Sequence, residues 1–373
     1  MRPHATTVEV EAPLETRPPL KHEFWADLPP HRLVEDKRVF LEDHRVRASE
    51  AGPDQRMTIL SVADLLQEAA GNHAVAMWGR SEAGFATDPR LSEAGLIFVM
   101  TRMHVEMDAY PRWGDLVQLE TWFQPSGRVG AERQWRFKAQ DGAVVGRAVA
   151  SFVMVNMNTR RLAKMPEPIR KHSAWFQRTP PELAIEHSRT RARIPDVLVA
   201  PDEAEAAQAA GDGQESAPPR RRSTSSSSDG EDAASAPTLE AALAALAQAG
   251  VAPALPEEAL VPPPQTAHAA KRADMDMNGH VNNVAYLGWL LENVPEAVFK
   301  GARLARLEID YRAEATAGQV VRGSASVCEC PEGAFEDARR EGGAVISYAH
   351  RLERTREDGK VVELARARTT WIF

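Results

Sequence analysis

The stretch VNNVAYLGWLLENVPEAVFKGARLARLEIDYRAE, residues 281–314, decides how the C-terminal half is built. Its first part sets apolar side chains at helical spacing, which predicts a helix over 281–294, and its second part alternates with a period of two, which predicts a strand. On that strand Leu307, Ile309 and Tyr311 share one face, while Glu308, Asp310, Arg312 and Glu314 share the other. Glu314 stands at the strand's end, where a carboxylate can face a cleft instead of a core. Further strand-patterned runs follow: QVVRGSASVCE, AVISYAHRLER and KVVELARARTTWIF, the last two separated by an Asp358-Gly359 hairpin signal.

The same grammar lies upstream. In SVADLLQEAAGNHAVAMWG (61–79) Val62, Leu65, Leu66, Ala69, Ala70, His73, Ala74 and Met77 form one stripe, and Ser61 is the expected N-cap. The β-patterned runs GLIFVMTRMHVEMD, DLVQLETWFQ, AERQWRFKAQ and AVVGRAVASFVMVN come next, with Asp141-Gly142 as a hairpin turn. One long helix followed by an antiparallel meander, twice over, implies an α+β fold in which each helix is wrapped by its sheet: a tandem double hot-dog. Trp78, Trp113 and Trp122 are read as structural, since large aromatic residues dominate cores.

Between the halves, residues 200–262 are rich in Ala, Ser, Asp and Glu and hold no aromatic residue. Such a stretch buries too little apolar surface to offset its ordering entropy. The expected organisation is a flexible N-terminal segment (1–36), an N-terminal hot-dog domain (37–199), a flexible acidic linker (200–262) and a C-terminal hot-dog domain (263–373).

Of 373 residues, 43% are hydrophobic and 26% charged, which excludes collagen-like and wholly disordered chains. Apolar runs such as GLIFVM fall far short of the ~18 residues a membrane span requires. The formal charge of −8 is unevenly distributed: 7 acids against 4 bases in residues 1–36, and 11 against 3 in 200–262, leave the folded halves near +3. Arg160, Arg161 and Lys164, with Arg170 and Lys171, offer basic patches to an acidic partner, though solvated surface cations read the same way. Cys328 and Cys330 are two apart on a strand and point the same way, so they do not suit a mutual disulfide, and a lone C-x-C lacks the second ligand pair of a zinc site. A reducing compartment fits. The N-terminus is acidic and has no apolar targeting core.

The densest polar cluster is ADMDMNGH followed by Val281-Asn282-Asn283. In an extended entry segment Asp276, Asn278 and His280 project from one side, and the helix behind them offers free amides and its positive dipole end to a developing oxyanion. Histidine is the side-chain type suited to acid–base work near neutral pH, and Asp276 can orient His280. Taken alone, the cluster reads more readily as a capped helix start than as a site. Glu314, across one helix, adds a candidate general base.

DMDMNGHVNNVAYLGWLLENVP followed by LEIDYRAEA resembles the signature of plant and green-algal acyl–acyl carrier protein thioesterases. AGPDQRMTILSVADLLQEAAGNH, GLIFVMTRMHVEMDAYPRWGD and NTRRLAKMPE are similar to that family's first hot-dog domain, so the resemblance covers roughly 37–180 and 270–373. It implies hydrolysis of fatty acyl thioesters carried on an acidic acyl carrier protein, in a plastid, with Asp276, Asn278, His280 and Glu314 on the catalytic positions. It also implies an acyl tunnel in the N-terminal half, for which Leu66, Ala70, His73, Met100 and Arg133 are the candidates. The family's strand glutamate is often followed by Cys; here Ala315 stands there, and Ala313 replaces an Arg. A thiol nucleophile is thereby disfavoured, and water activated by Glu314 and His280 is expected, with a covalent anhydride through Asp276 or Glu314 as the alternative. The resemblance implies no metal, cofactor or nucleic acid, and two halves in one chain make an internal pseudo-dimer that can act as a monomer. The rival readings are an acyl-CoA thioesterase, a hydroxyacyl-thioester dehydratase and a non-catalytic acyl-binding module.

Overall fold

Residues 31–35, 38–79, 89–127, 129–197, 256–261, 265–331, 335 and 343–373 are described by the computed structural model of the protein. In the first half the strands are β1 (His31–Val34), β2 (Val39–Arg45), β3 (Leu96–Met107), β4 (Leu116–Ser126), β5 (Gly130–Ala139), β6 (Val144–Asn156) and the short β7 (Arg161–Leu162). Its helices are α1 (Ile59–Trp78), α2 (Pro89–Glu93), α3 (Glu167–Ala174) and α4 (His187–Thr190). The second half contains β8 (Thr266–Ala269), α5 (Asn283–Leu291), α6 (Glu296–Gly301), β9 (Arg303–Tyr311), β10 (Val320–Cys328), β11 (Val345–Thr355) and β12 (Val361–Ile372).

Helix α1 begins one turn earlier than its sequence pattern suggests. Thr58, not Ser61, is the N-cap: its hydroxyl accepts from the Ser61 amide at 3.1 Å, satisfying one of the donors a helix start leaves open. Val62, Leu66, Ala69 and Met77 point inward and are buried, and Gly79 ends the helix at a φ of +85°, where a side chain would be strained. Gly142 and Gly359 take positive φ in the β5–β6 and β11–β12 hairpins, as the Asp-Gly pairs predict.

The two meanders join edge to edge. Among the described residues the sheet has 12 strands in the order β1-β2-β4-β5-β6-β3-β9-β12-β11-β10-β8, with β7 paired to β6, and every pairing is antiparallel. The seam is β3 against β9, with Arg102 opposite Asp310 and Glu106 opposite Arg306. Both helices lie on one face, and a single buried cluster takes in Val62, Leu66 and Ala69 of α1, Tyr286, Leu287 and Leu290 of α5, and Val105 and Leu307 of the seam strands.

Several expectations need correction. Residues 31–34, expected to be flexible, form β1 on the edge of the sheet. Within residues 256–261, assigned to the linker, Ala259 is fully buried and its carbonyl accepts from the Tyr348 hydroxyl, which ties the segment to the C-terminal half. The rest of that linker, 200–255 and 262, lies outside the described residues. The helix expected over 281–294 is Asn283–Leu291. Trp122 is buried, but Trp113 is 61% exposed. Glu308, placed by its period on a polar face, is wholly buried at the seam, where Arg102 (3.4 Å), Arg306 (3.2 Å) and Arg368 (2.7 Å) surround its carboxylate. The chain between α3 and residue 197 crosses that face: Ala192 O accepts from Arg102 and Arg189 O from Arg306.

Candidate active site

The polar cluster before α5 forms a closed loop, not an extended segment. Met275 bridges to Val281, the Asp276 amide donates to His280 O at 2.8 Å, and Gly279 turns the chain at a φ of +79°. Asp276 organises this loop. Its Oδ1 accepts from the Asn278 amide (2.8 Å) and the His280 amide (3.2 Å), and its Oδ2 from Asn278 Nδ2 (3.2 Å). The carboxylate therefore fixes the His280 backbone and does not touch the imidazole. A short polar side chain bonding to amides two and four residues on is what Asp does in a turn, and it defeats the period-two reading.

Asn282 caps α5, its side chain accepting from the Val284 amide at 3.0 Å and its carbonyl from Ala285 at 3.0 Å. Of the first amides expected to polarise a carbonyl, that of Asn283 is the one without an acceptor among the described residues. Glu314 lies in the loop after β9, three positions past its end. The buried Tyr286 hydroxyl holds this loop by accepting from the Ala315 amide at 2.9 Å. His280 Nε2 then lies 3.5 Å from Glu314 Oε2, with both side chains partly open to solvent. The same oxygen is met by Arg160 Nη2 at 3.2 Å, from the turn between β6 and β7. The chain thus brings His280 and Glu314 together, and adds a residue that sequence reasoning had assigned only to a surface patch. Its signal was the NTRRL run, but nothing local in that run points to Glu314.

A cavity of about 380 Å³ opens beside the loop. Asp276 and Asn278 line it at the C-terminal half, and Leu66, Ala70, Met100 and Arg133 line it within the N-terminal half. Four of the five expected tunnel residues are therefore in its wall. His73 is not: it is fully buried behind Arg133, stacked on Phe40 and accepting on Nδ1 from Arg133 Nη1 at 2.9 Å. Burial and the adjacent guanidinium hold its imidazole well below the ordinary value, so it is neutral. Burial alone pushes Arg133 down to about 9. The cavity is also walled by Phe98, Phe123, Phe152 and Trp78, which the sequence reading missed or took as core. Core and tunnel residues share one apolar alphabet, so no sequence signal separates them.

The cysteines take no part. Burial pushes the Cys328 thiol up to about 12, and Ala315, where a thiol would have to stand, is itself fully buried.

Residues 37–173 match the family model described as the acyl-ACP thioesterase N-terminal domain, and residues 263–372 match the acyl-ACP thioesterase C-terminal domain. Oleoyl-acyl carrier protein thioesterase 1, chloroplastic, of Arabidopsis thaliana is 31% identical over 91% of this chain and 77% of its own length. The chloroplastic dodecanoyl-[acyl-carrier-protein] hydrolase of Cinnamomum camphora is 29% identical over 92% of this chain and 68% of its own. Among solved structures, the 12:0-ACP thioesterase from Umbellularia californica superposes with a TM-score of 0.63 at 24% identity, covering 90% of this chain and 94% of that one. An acyl-ACP thioesterase from Bacteroides thetaiotaomicron gives 0.52 at 18% identity, covering 91% and 99%. These likenesses carry the fold, a double hot-dog, and the two matched domains with the 31% relative carry the family: this chain belongs to the acyl-ACP thioesterases.

Proposed function

We propose that the chain hydrolyses the thioester of a fatty acyl–acyl carrier protein, releasing free fatty acid, by attack of water activated at Glu314 and His280. The observation that carries this reading is the 3.5 Å contact between His280 and Glu314, on the loop whose Asp276 and Asn278 line a largely apolar cavity, though the pair itself is not in the cavity wall. The acyl chain occupies that cavity, along Leu66, Ala70 and Met100 toward Arg133. Water gives a proton to the Glu314 carboxylate as its oxygen bonds to the thioester carbon, and the carbonyl oxygen takes the charge. In this reading the Asn283 amide receives that charge, with Asn278 beside it in the cavity wall. When the tetrahedral carbon collapses, the C–S bond breaks and the departing thiolate takes a proton from the His280–Glu314 pair. The Asp276 carboxylate already accepts from three donors of its own loop, which favours it as loop organiser over nucleophile.

An acidic carrier protein suits the exposed Arg161 and Lys164 near the site. The relatives named above are chloroplastic, and a plastid is the compartment proposed here. The β3–β9 seam already joins two hot-dog halves, which supports a monomer. No described helix is long and apolar enough to cross a membrane.

The test is turnover on acyl-ACP, acyl-CoA and 3-hydroxyacyl thioesters with separate readouts for thiol, fatty acid and enoyl product. Thiol and fatty acid in equal amounts, fastest from acyl-ACP, support the proposal. Enoyl product without thiol release means a dehydratase, a preference for CoA moves the carrier, and tight binding without turnover leaves a binding module.

A further inference from the structure

Glu314 is a base on a loop, and a carboxylate on a loop turns freely unless something holds it. Two groups converge on its Oε2: His280 Nε2 at 3.5 Å, from the same half, and Arg160 Nη2 at 3.2 Å, from the other. Arg160 arrives there at a backbone cost. Its φ is +55°, a left-handed conformation that is strained for a residue with a Cβ and that Gly, Asn or Asp would adopt more easily. The turn enforces it. Asn156 Oδ1 accepts from the Asn158 and Thr159 amides at 3.0 and 2.9 Å, Asn156 O accepts from the Arg160 amide at 2.8 Å, and the Met157 amide is anchored on Gly95 O. The Arg160 side chain is 65% exposed, so burial does not explain its position; what sets it apart from other surface cations is the left-handed backbone and the contact it makes across the domain seam.

From this geometry we infer that Arg160 is the positioning residue for Glu314. Arg160 and His280 together bias the carboxylate toward the orientation that presents Oε2 to them, and Oε1 is then the oxygen left to take the proton of water. Arg160 acts through Glu314 and does not touch the reacting carbon. This inference rests on Glu314 being the base, and the variants below separate the two. It also makes the active site a joint product of both halves, since the residue that aims the base belongs to the half that holds the acyl chain.

The experiment is a double-mutant cycle on the full chain, with an acyl-ACP substrate and thiol release as readout. Arg160→Asn removes the guanidinium but tolerates the left-handed backbone. It is expected to lower kcat about 10- to 100-fold, as loss of one charge-assisted contact that fixes a catalytic group does, with KM changed less than about threefold and Tm unchanged or raised. Arg160→Lys, which can supply one charge but not the planar fork, retains an intermediate kcat. Adding guanidinium ion to Arg160→Asn restores part of the rate, whereas sodium chloride at equal ionic strength does not. In a Glu314→Gln background, Arg160→Asn has no further effect. The inference is overturned if Arg160→Asn keeps its kcat while Glu314→Gln loses it, or if the two losses multiply. It is also overturned if Arg160→Asn lowers Tm and kcat together with no response to guanidinium. If Glu314→Gln itself keeps full turnover, the base assignment fails, and with it any function for the clamp.

Discussion

Replacing Tyr286 with Phe tests how the loop that carries Glu314 is held. The ring is buried between Trp289, at a centroid distance of 5.4 Å, and Tyr311, edge-on at 5.7 Å, and a phenylalanine keeps both contacts. What is lost is the hydroxyl that accepts from the Ala315 amide at 2.9 Å and lies 3.5 Å from Ala313 O. Ala315 is fully buried, so its amide is left without an acceptor and without water. An orphaned buried N–H costs about 1–3 kcal/mol, and for a chain of this size each kcal/mol lowers Tm by roughly 1–2 °C. The adjoining residue is Glu314, and a displacement of about 1 Å at a catalytic group costs up to about 100-fold in rate. Tyr286→Phe should therefore unfold a few degrees early in a thermal scan. In a stopped-time thiol-release assay it should lose roughly 10- to 100-fold in kcat with little change in KM. Burial pushes the phenol above its ordinary value, so the native hydroxyl stays protonated and the deficit is the same at pH 6 and pH 9. A variant with native Tm and native kcat would refute the idea that this hydroxyl positions the loop.

Glu314→Gln and His280→Ala are each expected to lose ~100-fold or more in turnover on acyl-ACP, the usual cost of removing an acid–base group; a Glu314→Gln enzyme with near-native kcat sinks the base assignment. His350 is fully buried, bonded to Thr369 Oγ1 at 2.8 Å, and burial holds its imidazole down at about 3. The unfolded chain, with a pKa near 6.5, binds the extra proton first, so stability is complete above pH 6.5 and falls as pH drops toward 3, by up to ~1.4 kcal/mol per unit. In urea titrations His350→Gln should flatten that slope, and identical slopes would contradict the reading. Arg133→Met removes one of the two influences that hold His73 down, so the His73 imidazole should titrate closer to its ordinary value by NMR; an unmoved titration means burial alone governs it.

Much of this architecture is legible in single residues. The apolar stripes of α1 and α5, the Asp-Gly hairpins and the alternation of β9 fix two helix-plus-meander units, because each depends on local periodicity. The misses share one cause: they depend on what packs against the element. Glu308 alternates as a surface residue and is buried only because β3 supplies Arg102 and β12 supplies Arg368. Ser61 is a good cap by type, yet Thr58 is where the chain turns inward. His73 follows the stripe of tunnel residues but sits one layer behind Arg133. Asp276, Asn278 and His280 are correct as a group and wrong as an extended face, since the Asp carboxylate closes the loop on itself.

On the proposed mechanism the seam between the halves is part of the catalytic apparatus, not only a place where two units meet. The cavity wall is mainly N-terminal, His280 and Glu314 are C-terminal, and Arg160 crosses back. None of these can act unless β3 and β9 pair in one register. Apolar packing alone would tolerate neighbouring registers poorly but not uniquely, because a two-residue slip keeps the same faces inward. The buried charges discriminate further. At the observed register Arg102 reaches both Glu308 and Asp310 at 3.4 Å, and a shift of two residues separates it from one of them and leaves the half-buried Arg102 guanidinium with a single carboxylate across the seam. Buried ion pairs contribute little net stability against well-packed apolar residues, but breaking one costs several kcal/mol. An ionic seam of this kind adds little to how firmly the halves hold together and a great deal to how they are aligned, which is the quantity the site needs.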